Sequence, residues 1–179
     1  MRREYTAFCV VVAPGTLLAA CAGGDGLGSP ATTIVSGEWR SQTDRITGAP
    51  ISSAMLQSSR TAHSGLAATP QAMLQLACFK GQPIIRLAFA FQVGATSNSV
   101  FGYRFDEKPG HEINVHFLQG NDVFVIENKR DVAQFVSGLA AANNLYVQVR
   151  SLNKGRTSAE FRVSGGQPAI DAAFAGCPV

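Results

Sequence analysis

The stretch QAMLQLACFKGQPIIRLAFAF, residues 71–91, alternates apolar and polar side chains on both sides of a KGQP turn. A period of two is typical of a β-strand that buries one face. Two such runs joined by a short turn predict a β-hairpin. The second run directs four apolar side chains to one face, namely Ile85, Leu87, Phe89 and Phe91. Antiparallel strands are therefore the basis of the predicted fold.

Shorter runs on both sides of this hairpin predict further strands. HEINVHFL, residues 111–118, directs Ile113, Val115 and Phe117 to one face, and the small, polar segment 61–70 is predicted to be a loop. The remaining predicted strands are EWRSQTDR (38–45), the weaker ISSAMLQSSR (51–60), VFGYRFD (100–106), VFVIE (123–127) and a closing hairpin of 145–152 with 158–163.

Two segments change to the spacing of a helix. Residues 128–142 align four apolar side chains on one helical face, Val132, Phe135, Val136 and Leu139. Asn128 can cap the start of this helix. Residues 167–175 predict a second, shorter helix with Pro168 in its first turn. The expected fold is mainly β with two helices (α+β), arranged as an antiparallel β-sandwich or a strongly curved sheet.

The N-terminus has the layout of a secretory signal peptide. Arg2 and Arg3 precede an apolar stretch of about a dozen residues, which is shorter than the roughly 20 residues of a membrane-spanning helix. Residues 18–21, LAAC, resemble the lipobox of bacterial lipoprotein precursors, in which the cysteine is acylated and becomes the first residue. An N-terminal core helix with a chance cysteine is the alternative.

The lipobox resemblance implies an order of segments. Residues 1–20 are expected to be the signal peptide, residues 21–37 the lipidated Cys21 with a Gly-rich tether, and residues 38–179 a single periplasmic β-rich domain. Two or more acyl chains, palmitate included, hold a protein firmly at a membrane. Ala22 stands where an Asp often signals retention at the inner membrane, so the expected location is the periplasmic face of the outer membrane.

The cysteines then predict one disulfide. Of the four, Cys9 leaves with the signal peptide and Cys21 carries lipid, so Cys78 and Cys177 remain. Two cysteines in an oxidising compartment most simply form one bridge. Two free buried thiols are the alternative, and a metal pair is disfavoured because neither cysteine has a second ligand close by.

At this point the order of motifs resembles a known family. The motifs are the Trp39 strand followed by Asp44 and ITG, L-x-L-x-C at residues 74–78, YRFD at 103–106, and EFRVSGGQPAIDAAFAGC at 160–177. Together they resemble the periplasmic accessory proteins of type VI secretion clusters, the TagO- or VasI-like family, over about residues 37–177. The resemblance implies a non-enzymatic accessory or binding role, and the family's cysteines correspond to Cys78 and Cys177.

Several polar residues are candidates for chemistry or binding. Asp44 and Asp106 could be paired carboxylates for acid/base work, or Asp106 could close a strand or pair with Arg104 or a neighbouring turn. Trp39 could stack on a sugar or anchor the core. HEINVH, residues 111–116, lacks the HExxH spacing of a zinc peptidase, so surface histidines are favoured. Four strand arginines could form an anion-binding face or lie on the solvent side: Arg86, Arg104, Arg150 and Arg162.

The expected function follows from these patterns. A formal charge of +3 without a basic run argues against nucleic acid as a partner. We expect a lipid-anchored accessory domain without enzymatic activity, metal or cofactor, which contacts the membrane through its lipid and an envelope protein through its domain. The candidate binding residues are Trp39, Asp44, Arg104 and Asp106. A periplasmic ligand-binding lipoprotein or an enzyme inhibitor is the alternative.

Overall fold

The computed structural model describes residues 32–43, 46–47, 49, 51–64, 71–118, 120–177 and 179. Cys21, the predicted signal peptide of residues 1–20 and Asp44 lie outside the described residues. The strands are β1 (Thr32–Ser36), β2 (Trp39–Gln42), β3 (Ser53–Gln57), β4 (Arg60–His63), β5 (Ala72–Phe79), β6 (Gln82–Phe89), β7 (Ser99–Phe105), β8 (His111–Ile113), β9 (His116–Phe117), β10 (Val123–Ile126), β11 (Asn144–Ser151) and β12 (Gly155–Arg162). The helices are α1 (Lys129–Leu139) and α2 (Gly166–Phe174).

The described strands form two antiparallel sheets. One sheet has seven strands in the order β1-β2-β3-β5-β6-β10-β9, and the other has five in the order β4-β12-β11-β7-β8. Their inner faces share one apolar core, in which Phe101 of β7 lies 4.7 Å from Phe124 of β10, measured between ring centroids. The predicted fold class, mainly β with two helices in a sandwich-like arrangement, is confirmed.

The hairpin of residues 71–91 is the centre of the seven-stranded sheet. β5 pairs with β6 along its whole length, from Ala72 opposite Phe89 to Phe79 opposite Gln82. Ile85, Leu87 and Phe89 are buried as predicted. Phe91 lies beyond the end of β6 and is half-buried, with its ring 4.6 Å from that of His63.

Residues 111–118 do not form the single strand that their alternation predicts. β8 pairs with β7 in the five-stranded sheet, whereas β9 pairs with β10 in the seven-stranded sheet. The chain crosses between the sheets at Asn114 and Val115, and Val115 is buried there. Alternation in the sequence shows which side chains are buried. A segment that passes from one sheet to the other still directs alternate side chains into the shared core, so its alternation is unchanged.

A second crossing corrects the predicted strand at 51–60 and loop at 61–70. β3 belongs to the seven-stranded sheet, and after Ser58 and Ser59 the chain enters β4, which pairs with β12. Thr61 is buried in this strand rather than in a loop. Its hydroxyl lies 2.8 Å from that of Ser58, so the two small polar side chains bond to each other at the crossing.

The folded domain also begins before the predicted boundary at residue 38. Residues 32–36, assigned above to the tether, form β1 and pair with β2. Thr32, Thr33, Ile34 and Val35 are β-branched and suit an extended backbone. The flanking Ser and Gly residues obscure this short run in the sequence.

The two helices lie where the 3.6-residue spacing predicts them. The Asn128 side chain caps α1 by accepting the backbone N–H of Arg130 at 3.0 Å, and Val132, Phe135 and Leu139 are buried. α2 packs against β1, β2, β3 and β5. It starts after Gly165, whose φ of 82° lies in the left-handed region that favours glycine.

Candidate functional site

A hollow of about 570 Å³ lies on the outer face of the five-stranded sheet. Alternation along β7 buries Phe101, Tyr103 and Phe105 and turns Gly102 and Arg104 outward. β11 and β12 add the outward side chains of the same face. The hollow is lined by side chains or backbone of Gly102, Tyr103, Arg104, Gly110, His111, Glu112, Tyr146, Val147, Gln148, Ser158, Ala159 and Glu160.

One row of charged and aromatic side chains crosses this face. In register, Arg104 lies opposite Tyr146, Tyr146 opposite Glu160, and Glu160 opposite Arg60. The Arg104 guanidinium lies 4.4 Å from the centroid of the Tyr146 ring, which is the geometry of a cation–π contact. Arg60 Nη1 lies 3.6 Å from Glu160 Oε1. The row therefore carries alternating charge around one aromatic ring.

The next row forms the floor of the hollow. Gly102 lies opposite Gln148, and Gln148 lies opposite Ser158. A Cβ built at Gly102 comes no closer than 3.6 Å to a described atom, the His111 carbonyl oxygen. Packing thus leaves room for a side chain at this position, although glycine weakens a strand. The glycine deepens the hollow between Gln148 on β11 and Glu112 on β8.

The acidic side chains around the hollow are each engaged with an arginine. Glu112, opposite Gly102 on β8, pairs with Arg150, and Glu107 Oε2 lies 3.4 Å from Arg104 Nη1. These pairs are exposed, and exposed ion pairs contribute little to stability because water screens them. Charged groups of a bound partner can therefore replace one member of a pair at small cost.

Asp106 does not line this hollow, and its carboxylate accepts hydrogen bonds from the backbone. Its carboxylate accepts the backbone N–H of Asn144 at 2.8 Å and that of Asn143 at 3.2 Å, which fixes the entry to β11. It is not paired with Arg104, whose acidic partner is Glu107. Of the two roles considered for Asp106, closing a strand against a neighbouring turn is the one observed.

Trp39 is a core residue, and its candidacy as a binding residue is wrong. The side chain is fully buried, and its indole Nε1–H donates to the Val163 carbonyl at 3.3 Å. A ring enclosed in this way cannot stack on a ligand. Asp44 and Cys21, the other candidates near the N-terminus, lie outside the described residues.

A disulfide joins Cys78 of β5 to Cys177 after α2, with the two Cα atoms 5.8 Å apart. The pairing predicted from the cysteine count is confirmed. It closes a loop between residues 99 positions apart and holds the end of α2 against the seven-stranded sheet.

The two histidines of HEINVH are separated by the crossing between the sheets. His111 Nδ1 lies 3.0 Å from the Gln134 side-chain nitrogen on α1, whereas His116 is exposed on β9. Among the residues that the structure describes, no three His, Cys, Asp or Glu side chains are grouped to hold a metal ion.

Three of the four strand arginines lie on the outer face of one sheet, as expected for solvent-side residues, and they do not form an anion-binding face. Arg104, Arg150 and Arg162 lie on the five-stranded sheet, while Arg86 lies on the other sheet beside Gln75, with its Nη1 3.4 Å from Gln75 Oε1. Each of the three bonds to a carboxylate, Arg162 to Glu38 at 3.6 Å. The face is of mixed charge and does not have the cationic surplus of an anion site.

Sequence reasoning missed most of the hollow. Of the predicted binding residues that the structure describes, only Arg104 lines it. His111 and Glu112 of HEINVH also line it, whereas Gly102, Tyr146, Gln148 and Glu160 were not singled out. A signal existed at Gly102, because a glycine in the middle of an alternating strand often marks close backbone approach. The other three become a site only through strand register, which the sequence does not specify.

A second hollow of about 590 Å³ lies at the seven-stranded sheet. Met55 and Met73 line it from adjacent strands, with Arg40 opposite Met55 on β2. Met73 is exposed. Flexible thioether side chains adapt to apolar ligands of irregular shape.

Comparisons with protein-family models, curated proteins and solved structures find no match to this chain. Within the described ranges, no helix is long and apolar enough to cross a membrane.

Proposed function

We propose that this chain is a non-catalytic, lipid-anchored accessory protein of the periplasm that binds an envelope protein through the hollow on the five-stranded sheet. In this proposal Cys21 holds it to the periplasmic face of the outer membrane. Its partner belongs to a type VI secretion system, as the resemblance of its motifs to the TagO- or VasI-like family implies.

The observation that carries the proposal is the mixed-charge, open surface of the hollow. Arg104, Tyr146 and Glu160 offer a cation, an aromatic ring and an anion in one row. Interfaces between proteins are rich in Arg and Tyr, which combine large contact areas with hydrogen bonding. Binding is favoured over catalysis because the carboxylates here are held by arginines or, for Asp106, by backbone N–H groups.

The lipid anchor is tested by labelling with radioactive palmitate in cells that produce the full chain. We expect label in the wild type and none in the Cys21→Ala variant, because the thiol is the acceptor of the diacylglyceryl group. Label that persists in the Cys21→Ala variant, or a wild type without label, contradicts the anchor.

The binding surface is tested by photo-crosslinking from two positions in the same cells. A crosslinker in place of Gln148 lies in the hollow, and one in place of Gln57 lies in the second hollow, on the outer face of the other sheet. We expect a discrete envelope-protein adduct from position 148. An adduct from position 57 alone contradicts this surface.

A cavity-filling variant sharpens that test. Gly102→Val places a β-branched side chain on the floor of the hollow, where a Cβ comes no closer than 3.6 Å to a described atom, and should abolish the adduct. Ala62→Val, on the outward face of β4 and outside the lining, is the matched control and should retain it. Equal adducts from both variants would argue against the hollow as the interface.

A periplasmic ligand-binding or inhibitor lipoprotein is the second candidate, favoured by the methionine-lined hollow on the seven-stranded sheet. A fluorescent fatty-acid probe should then bind the purified chain, and Met73→Lys should weaken its binding. Ala62→Val again serves as the control. If the wild-type chain does not bind the probe, the proposal that this hollow binds an apolar ligand is contradicted.

A further inference from the structure

The strand register places five segments at the same end of the molecule. Thr32, the first described residue, lies opposite Gln42, whose carbonyl accepts the Ile51 N–H at 2.9 Å. The next residue, Ser52, accepts the Cys78 N–H at 3.2 Å. The β5–β6 turn, with Phe79 and Lys80, therefore lies three strands away from the point where the chain enters β1.

The N-terminus of α1 lies at this end as well. Ile126, the last residue of β10, pairs with Ile85 near the start of β6, and α1 begins three residues later at Lys129. We call the residues Thr32, Ile51, Phe79, Lys80, Lys129 and Arg130 the anchor end.

Apolar side chains protrude from the anchor end. Phe79 is 58% exposed and Ile51 is 41% exposed. Lys80 lies beside the Phe79 ring, with its Nζ 5.4 Å from the ring centroid. An exposed aromatic ring next to a lysine is the arrangement that peripheral proteins insert at the boundary between headgroups and acyl chains.

The anchor end carries three exposed cationic side chains, and two carboxylates lie beside them. Lys80, Lys129 and Arg130 are exposed, and Arg130 is 89% exposed at its side chain. Glu127 is exposed beside them, while Asp131 is largely buried in the first turn of α1 and lies 3.7 Å from Arg130. Anionic phospholipid headgroups attract exposed cations that lie within a Debye length of the membrane.

We infer that the anchor end rests on an anionic phospholipid surface, with Phe79 inserted at the headgroup level. This inference rests on the proposed acylation of Cys21. Thr32 follows Cys21 by eleven residues, which span at most roughly 40 Å when fully extended. An anchor at Cys21 therefore keeps this end of the domain within roughly 40 Å of the bilayer, and in this inference the apolar and cationic side chains hold it at the surface.

The test uses the acylated full chain in vesicles of phosphatidylethanolamine and phosphatidylglycerol whose acyl chains are brominated, since bromine quenches nearby tryptophan. Phe79→Trp reports on the anchor end. Leu152→Trp is the matched control, because Leu152 is 88% exposed and its N–H bonds to Asn98, in the segment that leaves the opposite end of β6. The two ends of β6 are roughly 25 Å apart. The native Trp39 is buried and gives a constant background.

We expect the brominated vesicles to quench the Phe79→Trp variant and to leave the emission of the Leu152→Trp variant unchanged. Adding Lys80→Glu and Lys129→Glu to the Phe79→Trp variant should reduce the quenching. Equal quenching of both reporters, or none of Phe79→Trp in protein that floats with the vesicles, overturns the inference and leaves the anchor standing. A chain that does not float with the vesicles overturns the anchor and the inference with it.

Discussion

The Asp106 carboxylate fixes the join between α1 and β11 by accepting the backbone N–H groups of Asn143 and Asn144. Asp106 itself has a φ of 46°, in the left-handed region that Asp and Asn tolerate better than most residues. Asp106→Ala removes the acceptor and leaves that backbone conformation strained. We expect it to lower the free energy of unfolding in urea by about 1–3 kcal/mol.

Asp106→Asn separates the two causes. It keeps the tolerance of the left-handed conformation and one carbonyl acceptor, so it should lose less stability than Asp106→Ala. Equal stability of wild type and Asp106→Ala would show that these bonds do not hold the join.

Tyr103 combines a buried ring with a hydroxyl that has no hydrogen-bond partner among the described residues. Burial, followed by the negative charge of Asp131, raises its pKa to about 12 from the ordinary value of 10.0. The unfolded chain therefore loses the phenol proton before the folded chain does. The contribution of Tyr103 to stability is complete below pH 10 and falls as the pH rises from about 10 to about 12.

Tyr103→Phe tests this sign. At neutral pH the variant should be as stable as the wild type or more stable, because it removes an unsatisfied buried hydroxyl. Between pH 9 and pH 11, the free energy of unfolding in urea should fall less in the variant than in the wild type. The difference is the loss of stability that the raised pKa of Tyr103 causes in the wild type. Parallel decreases in both proteins would contradict the raised pKa.

At the scale of elements, α1 meets β7 through Gly138. A Cβ built at this position lies 2.5 and 2.6 Å from two carbons of the Phe105 ring, which is buried against Phe135. Gly138→Ala adds about 1 kcal/mol of helix propensity and forces an overpacked contact that costs about 1–3 kcal/mol. We expect the contact to prevail and the unfolding free energy to fall.

Ser137→Ala is the matched control for that substitution. Ser137 is exposed on the same helix, so its replacement should change stability by no more than about 0.5 kcal/mol. A Gly138→Ala variant that is more stable than the wild type would mean that the helix moves away from Phe105 at little cost.

The periodicity of the sequence predicted individual strands and helices better than it predicted which strands pair with each other. The hairpin of β5 and β6 and the helix α1 follow from periods of 2 and 3.6 that neighbouring strands do not alter. The crossings near Ser58 and Asn114 are invisible to the same pattern, because both sheets bury their alternate residues in one core. The short β1 was missed because its β-branched residues stand among Ser, Gly and Pro.

At the scale of the whole molecule, the sequence did not predict the candidate site because it does not specify which strands pair. The hollow is assembled from β7, β8, β11 and β12, and its residues meet only through the register between strands distant in sequence. Arg104 was predicted because it belongs to the YRFD motif of residues 103–106. The Cys78–Cys177 bridge was found because counting cysteines requires no register.

That bridge carries the last prediction, since it joins β5 to the chain end beyond α2. Closing a loop of this length stabilises a protein by up to about 4–5 kcal/mol in the chain-entropy treatment. Dithiothreitol should lower the urea midpoint of the wild type, and α2 should show the largest rise in amide hydrogen exchange because the bridge holds its end against the sheet. The Cys78→Ala/Cys177→Ala variant should resemble the reduced protein and ignore dithiothreitol. Mass spectrometry should show the non-reduced protein lighter than the reduced protein by two hydrogens. An unchanged mass and midpoint on reduction would overturn the bridge as a constraint.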